Sequence, residues 1–353
     1  MSKFRVSIIG LGRIAQHYLK IFNLRDFKNI TISSVCDNKK KKIIEFKKRN
    51  KNALTFFNIN DLLKNDNPDL VIITTPSGTH YINAKVALNK GCNVLVEKPI
   101  TLKPEHAEYL YNLAKSKKKK IFVAFQNRYN PSIKRTKKAL IKKSFGKIIT
   151  VSARLRWSRY ADYYNDDWHG TWKLDGGVLS NQAVHILDIF LWFFGPVKKV
   201  FSISKNVINK LEAEDTIVST IEFSNGIIGT LEATTGCRPS DYEVALSVIG
   251  EKGIVEIDGL CLNLIRKWFF NNHSKEEKFI KKNFSENITM PYGNGHIHLL
   301  KEIFKNINKE DFISLHSKKE ILMPIKLMHA IYKSASLFKP VDLKSNSRFS
   351  KLG

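Results

Sequence analysis

Three groups of residues in this 353-residue chain have the types and spacings that chemistry needs. The first is a glycine turn. Val6-Ser-Ile-Ile9 is a short apolar run that ends in Gly10-Leu-Gly12-Arg13-Ile14-Ala15, after which Ile14, Ala15, Tyr18 and Leu19 keep helical spacing. Strand, tight turn and helix in that order let backbone N–H groups approach a pyrophosphate, with the positive end of the helix behind them. Asp37 closes the next apolar run, residues 30–36, at about the separation expected of a carboxylate that grips an adenosine ribose. The glycine pattern alone is a weak signal. In the context strand, turn, helix, strand, Asp, it points to a bound dinucleotide.

The second group is Lys98 with Pro99. A lysine at the carboxyl end of a buried strand is poorly explained as a surface charge, and the proline permits a cis peptide that would fix its direction. The bland alternative is a plain strand-ending turn. The third group is Gly176-Gly-Val-Leu-Ser-Asn181-Gln-Ala-Val-His185-Ile-Leu-Asp188. Spacings of four and three bring Asn181, His185 and Asp188 near one face of a helix expected over residues 177–194. That helix is otherwise strongly apolar. It either satisfies its polar stripe internally or points it into a cleft.

The elements that must position these residues read as two patterns. Up to about residue 125, helices expected at 38–49, 61–64, 81–89 and 104–117 alternate with apolar strands at 70–75, 93–97 and 121–125. Such alternation gives a doubly wound parallel sheet, whose ligands bind beyond the carboxyl ends of the strands. The loops at residues 10–15, 74–80 and 97–99 all lie at that edge. Beyond residue 125 a helix at 131–143 and a long strand at 147–157 lead to an aromatic, polar stretch at 159–172. Strands then follow at 216–223, 227–234, 243–249 and 254–257, with Asn225-Gly226 as a two-residue hairpin signal. Helices at 296–307 and 324–338 finish the pattern. The expected fold is α/β, a doubly wound Rossmann domain over 1–125 and an α+β domain over 126–338 with a mostly antiparallel or mixed sheet. Residues 339–353 form a tail, loose or packed back on the body.

Composition narrows the function classes. Hydrophobic residues make up 43% of the chain, enough for ordinary cores. The longest strongly apolar stretch, residues 186–194, is about half of what a bilayer requires. The N-terminus runs straight into the first strand, against a cleaved signal. Cys36, Cys92, Cys237 and Cys261 are scattered and offer neither a disulfide framework nor a metal site. These features together indicate a cytoplasmic protein with no membrane partner and no bound metal. The net charge of +27 invites a nucleic-acid reading. However, the lysine runs 39–42 and 117–120 lack interleaved aromatic residues that would stack on bases, which favours a solvated lysine surface. Such a surface would still steer an anionic metabolite.

Taken together, the motifs resemble the Gfo/Idh/MocA oxidoreductase family, named for glucose-fructose oxidoreductase and inositol dehydrogenase. The resemblance covers nearly the whole chain. It rests on Gly10 to Ala15, on Thr75-Pro76-Ser-Gly-Thr-His80, on Glu97-Lys98-Pro99, and on Gly176-Gly177 through His185 and Asp188. It implies NAD held by Gly10, Gly12, Arg13, Ile14, Asp37, Thr75, Pro76, His80, Glu97 and Lys98. It also implies a second domain whose large open sheet forms a homodimer or homotetramer interface. Many members carry Asp four residues before the histidine, whereas this chain has Asn181. Asn there resembles a subset that includes oxidases of nucleotide-activated aminosugars.

The subset's character is also present in Arg159 to Tyr164 and in Gly170-Thr-Trp172. Tyr292-Gly-Asn-Gly-His296 looks like a late loop able to reach the substrate. The resemblance therefore implies oxidation of a sugar secondary hydroxyl, with a UDP-linked N-acetylhexosamine or its uronate at the 3-hydroxyl as the substrate class. Synthesis of envelope lipopolysaccharide is the setting this implies. His185 is expected to be the base, with Lys98 on the same oxygen and Asn181 holding the ring or a substrate hydroxyl. Either Lys98 or His185 could take the proton. Arg159, Tyr164, Trp172, Tyr292 and His296 complete the expected substrate contacts. Asp37 favours NAD over NADP, although Lys39 and Lys40 close behind leave NADP possible. A free-sugar or inositol dehydrogenase is the alternative, and a non-catalytic NAD-binding regulator the alternative of another class.

Overall fold

A computed structural model describes residues 4–270, 274–288, 292–309, 315–345 and 347–353. The chain packs as two units, one of residues 1–124 with 300–322, the other of residues 125–299 with 323–353.

In the first unit β1 (Phe4–Ile9), α1 (Arg13–Phe22), β2 (Ile30–Cys36), α2 (Lys40–Arg49), β3 (Leu54–Phe56), α3 (Ile59–Asn65), β4 (Leu70–Ile73), α4 (His80–Asn89), β5 (Asn93–Val96), α5 (Pro104–Ser116) and β6 (Ile121–Val123) alternate as expected. The six strands lie parallel in the order β3-β2-β1-β4-β5-β6. The order reverses direction at β1 and β4, the switch point where doubly wound sheets bind ligands. Every residue of β4 is fully buried, which is why that strand is an unbroken apolar run. Proline opens α5 at a position where its missing N–H costs nothing.

The second unit holds α6 (Pro131–Ile141), β7 (Ile148–Arg156), α7 (Val178–Asn181), α8 (Val184–Phe194), β8 (Val197–Lys205), β9 (Thr216–Phe223), β10 (Ile228–Thr234), β11 (Glu243–Gly250), β12 (Gly253–Asp258), β13 (Leu264–Phe270) and α9 (Ser274–Phe284). In chain order α10 (Gly295–Asn306), α11 (Lys318–Leu337) and the short strand β14 (Val341–Asp342) follow, with residues 300–322, from within α10 to within α11, counted in the first unit. The eight strands run in the order β13-β12-β11-β7-β10-β9-β8-β14, antiparallel except for β7 against β10. On β7, Val151, Ala153 and Leu155 point to the buried face, while Arg154 and Arg156 alternate to the other.

Two expectations are revised, and one that was left open is decided. The helix over 177–194 is two helices: Ala183 N–H reaches back five residues to Val178 O, and the ladder restarts at α8. Asn181 therefore ends α7, while His185 and Asp188 lie on α8. Pro324 does not start the last helix. Ser317 and Glu320 form a reciprocal cap, with Ser317 N–H donating to the Glu320 carboxylate at 2.9 Å and Glu320 N–H to Ser317 Oγ at 3.3 Å, so α11 begins earlier and Pro324 sits inside it. The tail packs back on the body: β14 pairs with β8, and Phe349 and Leu352 are buried.

Candidate functional site

The glycine turn fits a dinucleotide. Gly10 has φ +93°, and an added Cβ would sit 2.9 Å from Thr74 backbone atoms, so only glycine lets β1 and β4 approach there. Gly12 is the reverse case: an added Cβ would meet nothing within 4 Å, which leaves open space over the start of α1. Gly12 caps that ten-residue helix without a side chain, so the first N–H groups of Arg13 and Ile14 face the open side, as a pyrophosphate requires. Thr74 Oγ1 donates to Gly10 O at 2.7 Å and holds the turn down.

Asp37 is 6% exposed at the end of β2. Its Oδ2 accepts from Leu11 N–H at 2.8 Å, its Oδ1 accepts from Lys39 N–H at 2.8 Å, and Lys42 Nζ lies 3.3 Å away. One carboxylate thus ties the glycine turn to the start of α2. His80 does the same for the next two loops. Its Nδ1 lies 2.8 Å from Pro99 O and its Nε2 2.8 Å from Thr75 O, bracketing the Thr75-Pro76 and Lys98-Pro99 segments. Burial pushes its pKa below the ordinary histidine value, with the two carbonyls opposing. The Lys98–Pro99 peptide is cis, and Lys98 is half-buried. Glu97 is buried, accepting from Tyr18 OH at 2.8 Å through Oε1 and from Lys98 N–H at 3.3 Å through Oε2. Tyr18 thereby connects α1 to the lysine loop, a pairing no local pattern announces.

In the second unit Asn181, His185 and Asp188 each meet a different partner. Both Asp188 oxygens accept from Arg128, at 2.8 Å from Nε and 2.7 Å from Nη2, and both residues are buried. Asn181 Nδ2 donates to Asp175 Oδ1 at 2.7 Å, and Asp175 is 2% exposed. Gln126 Nε2 lies 3.2 Å from His185 Nε2. Neither Asp175 nor Gln126 carries a local sequence signal, because both act across the fold.

Beneath the glycine pair lies Glu214, 4% exposed. Its Oε1 accepts from Leu179 N–H at 2.9 Å and from Tyr332 OH at 3.0 Å. Tyr332 OH in turn accepts from the N–H groups of Gly177 at 3.2 Å and Ser180 at 3.3 Å. A Cβ on Gly177 would collide with Glu214, which explains the second glycine. Burial raises the Glu214 pKa from 4.5 to about 8.

The remaining expected substrate residues divide into two sets. Arg159 Nη1 donates to Asp241 at 2.8 Å, and its guanidinium lies over the Trp157 and Tyr163 rings. Tyr163 OH accepts from Gln182 Nε2 at 3.4 Å, linking this segment to the end of α7. Tyr164 OH lies 2.8 Å from Thr235 Oγ1. Trp172 instead packs edge-on with Tyr332 and Phe349, as part of the seat for the chain's last residues. Tyr292 is exposed and His296 is buried.

Residues 4–125 match the model of an oxidoreductase family with an NAD-binding Rossmann fold, and residues 133–256 match the GFO/IDH/MocA C-terminal domain. The chain belongs to the GFO/IDH/MocA oxidoreductase family. Its fold is similar to the WlbA dehydrogenase from Chromobacterium violaceum, solved in complex with NADH and UDP-GlcNAcA, with TM-score 0.88 and 29% identity over 97% of this chain and 96% of that one. It is 27% identical over 224 residues to the uncharacterized oxidoreductase sll0816 of Synechocystis, spanning 59% of this chain and 60% of that relative's length. It is 26% identical over 276 residues to the D-glucoside 3-dehydrogenase of Escherichia coli, covering 71% of this chain and 76% of the enzyme. Among the described residues, no helix is long and apolar enough to cross a membrane, and no cluster of three potential metal ligands occurs.

Proposed function

We propose that the chain oxidises the 3-hydroxyl of a UDP-linked N-acetylhexosamine or its uronate to a ketone. The supporting observation is the likeness, over nearly the whole of both chains, to a dehydrogenase solved with NADH and UDP-GlcNAcA. NAD, when bound, supplies the hydride acceptor. The protein's part is to place the sugar and to handle the hydroxyl proton. His185 takes that proton, and the Lys98 ammonium hydrogen-bonds the same oxygen and stabilises its developing negative charge. Asn181, whose amide nitrogen is held by Asp175, offers its amide oxygen to a sugar hydroxyl. Arg159, Tyr164 and Tyr292 offer the cation and hydroxyl groups that a nucleotide diphosphate and base would meet. The product ketone suits a following aminotransferase in envelope-sugar synthesis.

The E. coli relative favours a second reading, a free glucoside or inositol-type substrate. The open sheet face supports self-association: Ile203, Val218, Ile228 and Phe269 are 42%, 48%, 59% and 53% exposed on one face. The test mixes the protein and NAD with a panel of UDP-sugars, free sugars and inositol, and follows reduced-nicotinamide absorbance. UDP-aminosugar turnover should fall about a hundredfold in His185→Ala and in Lys98→Ala, with NAD binding kept. Turnover of inositol or free glucoside, with little response to UDP-sugars, would overturn the proposal.

A further inference from the structure

The short turn Gln126–Tyr129 and the first two turns of α8 meet through two contacts. Arg128 grips Asp188 with two hydrogen bonds, at 2.8 and 2.7 Å. Two residues back on the turn and three back on the helix, Gln126 Nε2 lies 3.2 Å from His185 Nε2. The buried ion pair fixes the register between the two segments, because both partners are planar and doubly bonded. That register delivers the Gln126 amide to the imidazole. The helix α10 begins directly against Gln126: a Cβ on Gly295 would fall 2.8 Å from Gln126 O and 3.1 Å from its Cγ. Gln126 is 6% exposed, and its Oε1 is buried with no hydrogen-bond partner among the described residues.

We propose that Gln126 is a positioning residue that sets which nitrogen of His185 carries the proton, and with it the basicity of the ring. This rests on the reading of His185 as the base. An amide nitrogen only donates, so His185 Nε2 accepts and the proton of the neutral ring sits on Nδ1. The neutral ring has one lone pair, on Nε2, so the amide N–H must swing away before Nε2 takes a proton; the amide then turns over and Oε1 becomes the acceptor. The carbonyl that has no partner beside the neutral ring thus has one beside the charged ring. A carboxylate here would hold the ring protonated, and an alkyl group would leave Nε2 unserved. An amide suits both states. Of the charged and titratable groups, the Arg128–Asp188 pair joins the same two segments, Asp175 is bonded to Asn181 on α7, and His296 follows Gly295 on α10.

The test is imidazole-15N NMR of the full chain with NAD bound and no sugar, with the His185 signals assigned by their loss in His185→Ala. The expected wild-type signal is that of a ring protonated on Nδ1. Gln126→Leu should shift that balance toward Nε2–H. Gln126→Glu, which keeps the size, should raise the midpoint of the His185 titration by about one pH unit or more. If Gln126→Leu folds poorly by thermal melting, Gln126→Glu carries the test alone. An unchanged His185 midpoint in Gln126→Glu, with NAD binding intact, would overturn the proposal. Where a UDP-sugar is turned over, the acid limb of kcat should move with that midpoint while KM stays within about twofold. If the signals move as expected and no UDP-sugar is oxidised, the Gln126 assignment stands and the proposed substrate falls.

Discussion

Glu214 gives the sharpest stability prediction. It is a buried carboxyl that caps the helix ending in Asn181, and its pKa is pushed up from 4.5 to about 8, first by burial and in smaller part by the Asp175 charge. The Leu179 N–H and the Tyr332 hydroxyl pull the other way. A raised folded-state pKa means that the folded protein binds this proton more tightly than the unfolded chain does. The resulting stability is fully present below about pH 4.5 and is lost as pH rises through about 8. At about 1.4 kcal/mol per unit, the whole interval is worth on the order of 5 kcal/mol, about half of it lost between pH 6 and 8.

Glu214→Gln keeps an acceptor for Leu179 and Tyr332 but cannot ionise. Thermal melts at pH 6, 7, 8 and 8.5 should therefore show the wild type falling relative to the variant, by roughly 5 °C or more across that range. The window is chosen to isolate this group. His80 has a lowered pKa and titrates at more acid pH, while the Cys36 thiol is pushed up to about 12 and stays protonated. Wild-type and variant melting temperatures that run parallel from pH 6 to 8.5 would refute the burial argument.

Two further outcomes follow from the site. Asp37→Ala removes a charged acceptor from the Leu11 and Lys39 amides and, on the reading that Asp37 grips the ribose, from the cofactor too, so nicotinamide fluorescence titration should show NAD binding weakened roughly 10- to 100-fold and the NADP-to-NAD affinity ratio raised. Asn181→Asp would set a second carboxylate at hydrogen-bond distance from Asp175, so turnover should fall in that single variant and recover at least about tenfold when Asp175→Asn is added, measured by the same absorbance assay.

What the sequence could disclose follows from distance along the chain. The glycine turn, Asp37 and the buried run of β4 are legible because strand, turn and helix are consecutive and their periods are strong. The stripe of Asn181, His185 and Asp188 is legible as a spacing, but the break at residues 182–183 is not, because neither Pro nor Gly marks it. What shapes that segment is Glu214 and Tyr332, which lie 37 and 155 residues beyond Gly177 and hold the first turn from below. The early start of α11 was readable from Ser317 and Glu320, and Pro324 obscured it. The strand β8 carries Lys198 and Lys199 side by side, which blurs its alternation. Gln126 and Asp175 have no pattern at all, since only the fold brings an amide to His185 and a carboxylate to Asn181.

The polar stripe of the glycine-rich segment therefore divides into three tasks. Asp188, the one carboxylate on α8, has both of its oxygens held by a buried guanidinium. Its charge is neutralised where it stands, and it acts as a pin between helix and turn. At position 181 an amide stands where many members carry a carboxylate, and its Nδ2 donates to the carboxylate of Asp175. The imidazole of His185 has the Gln126 amide 3.2 Å from its Nε2. An amide orients a ring without fixing its charge, which suits the proposed base, neutral before it takes a proton and charged afterwards. A base placed in this way would depend for its strength on hydrogen-bond geometry, and the Arg128–Asp188 pin holds the two segments that set it.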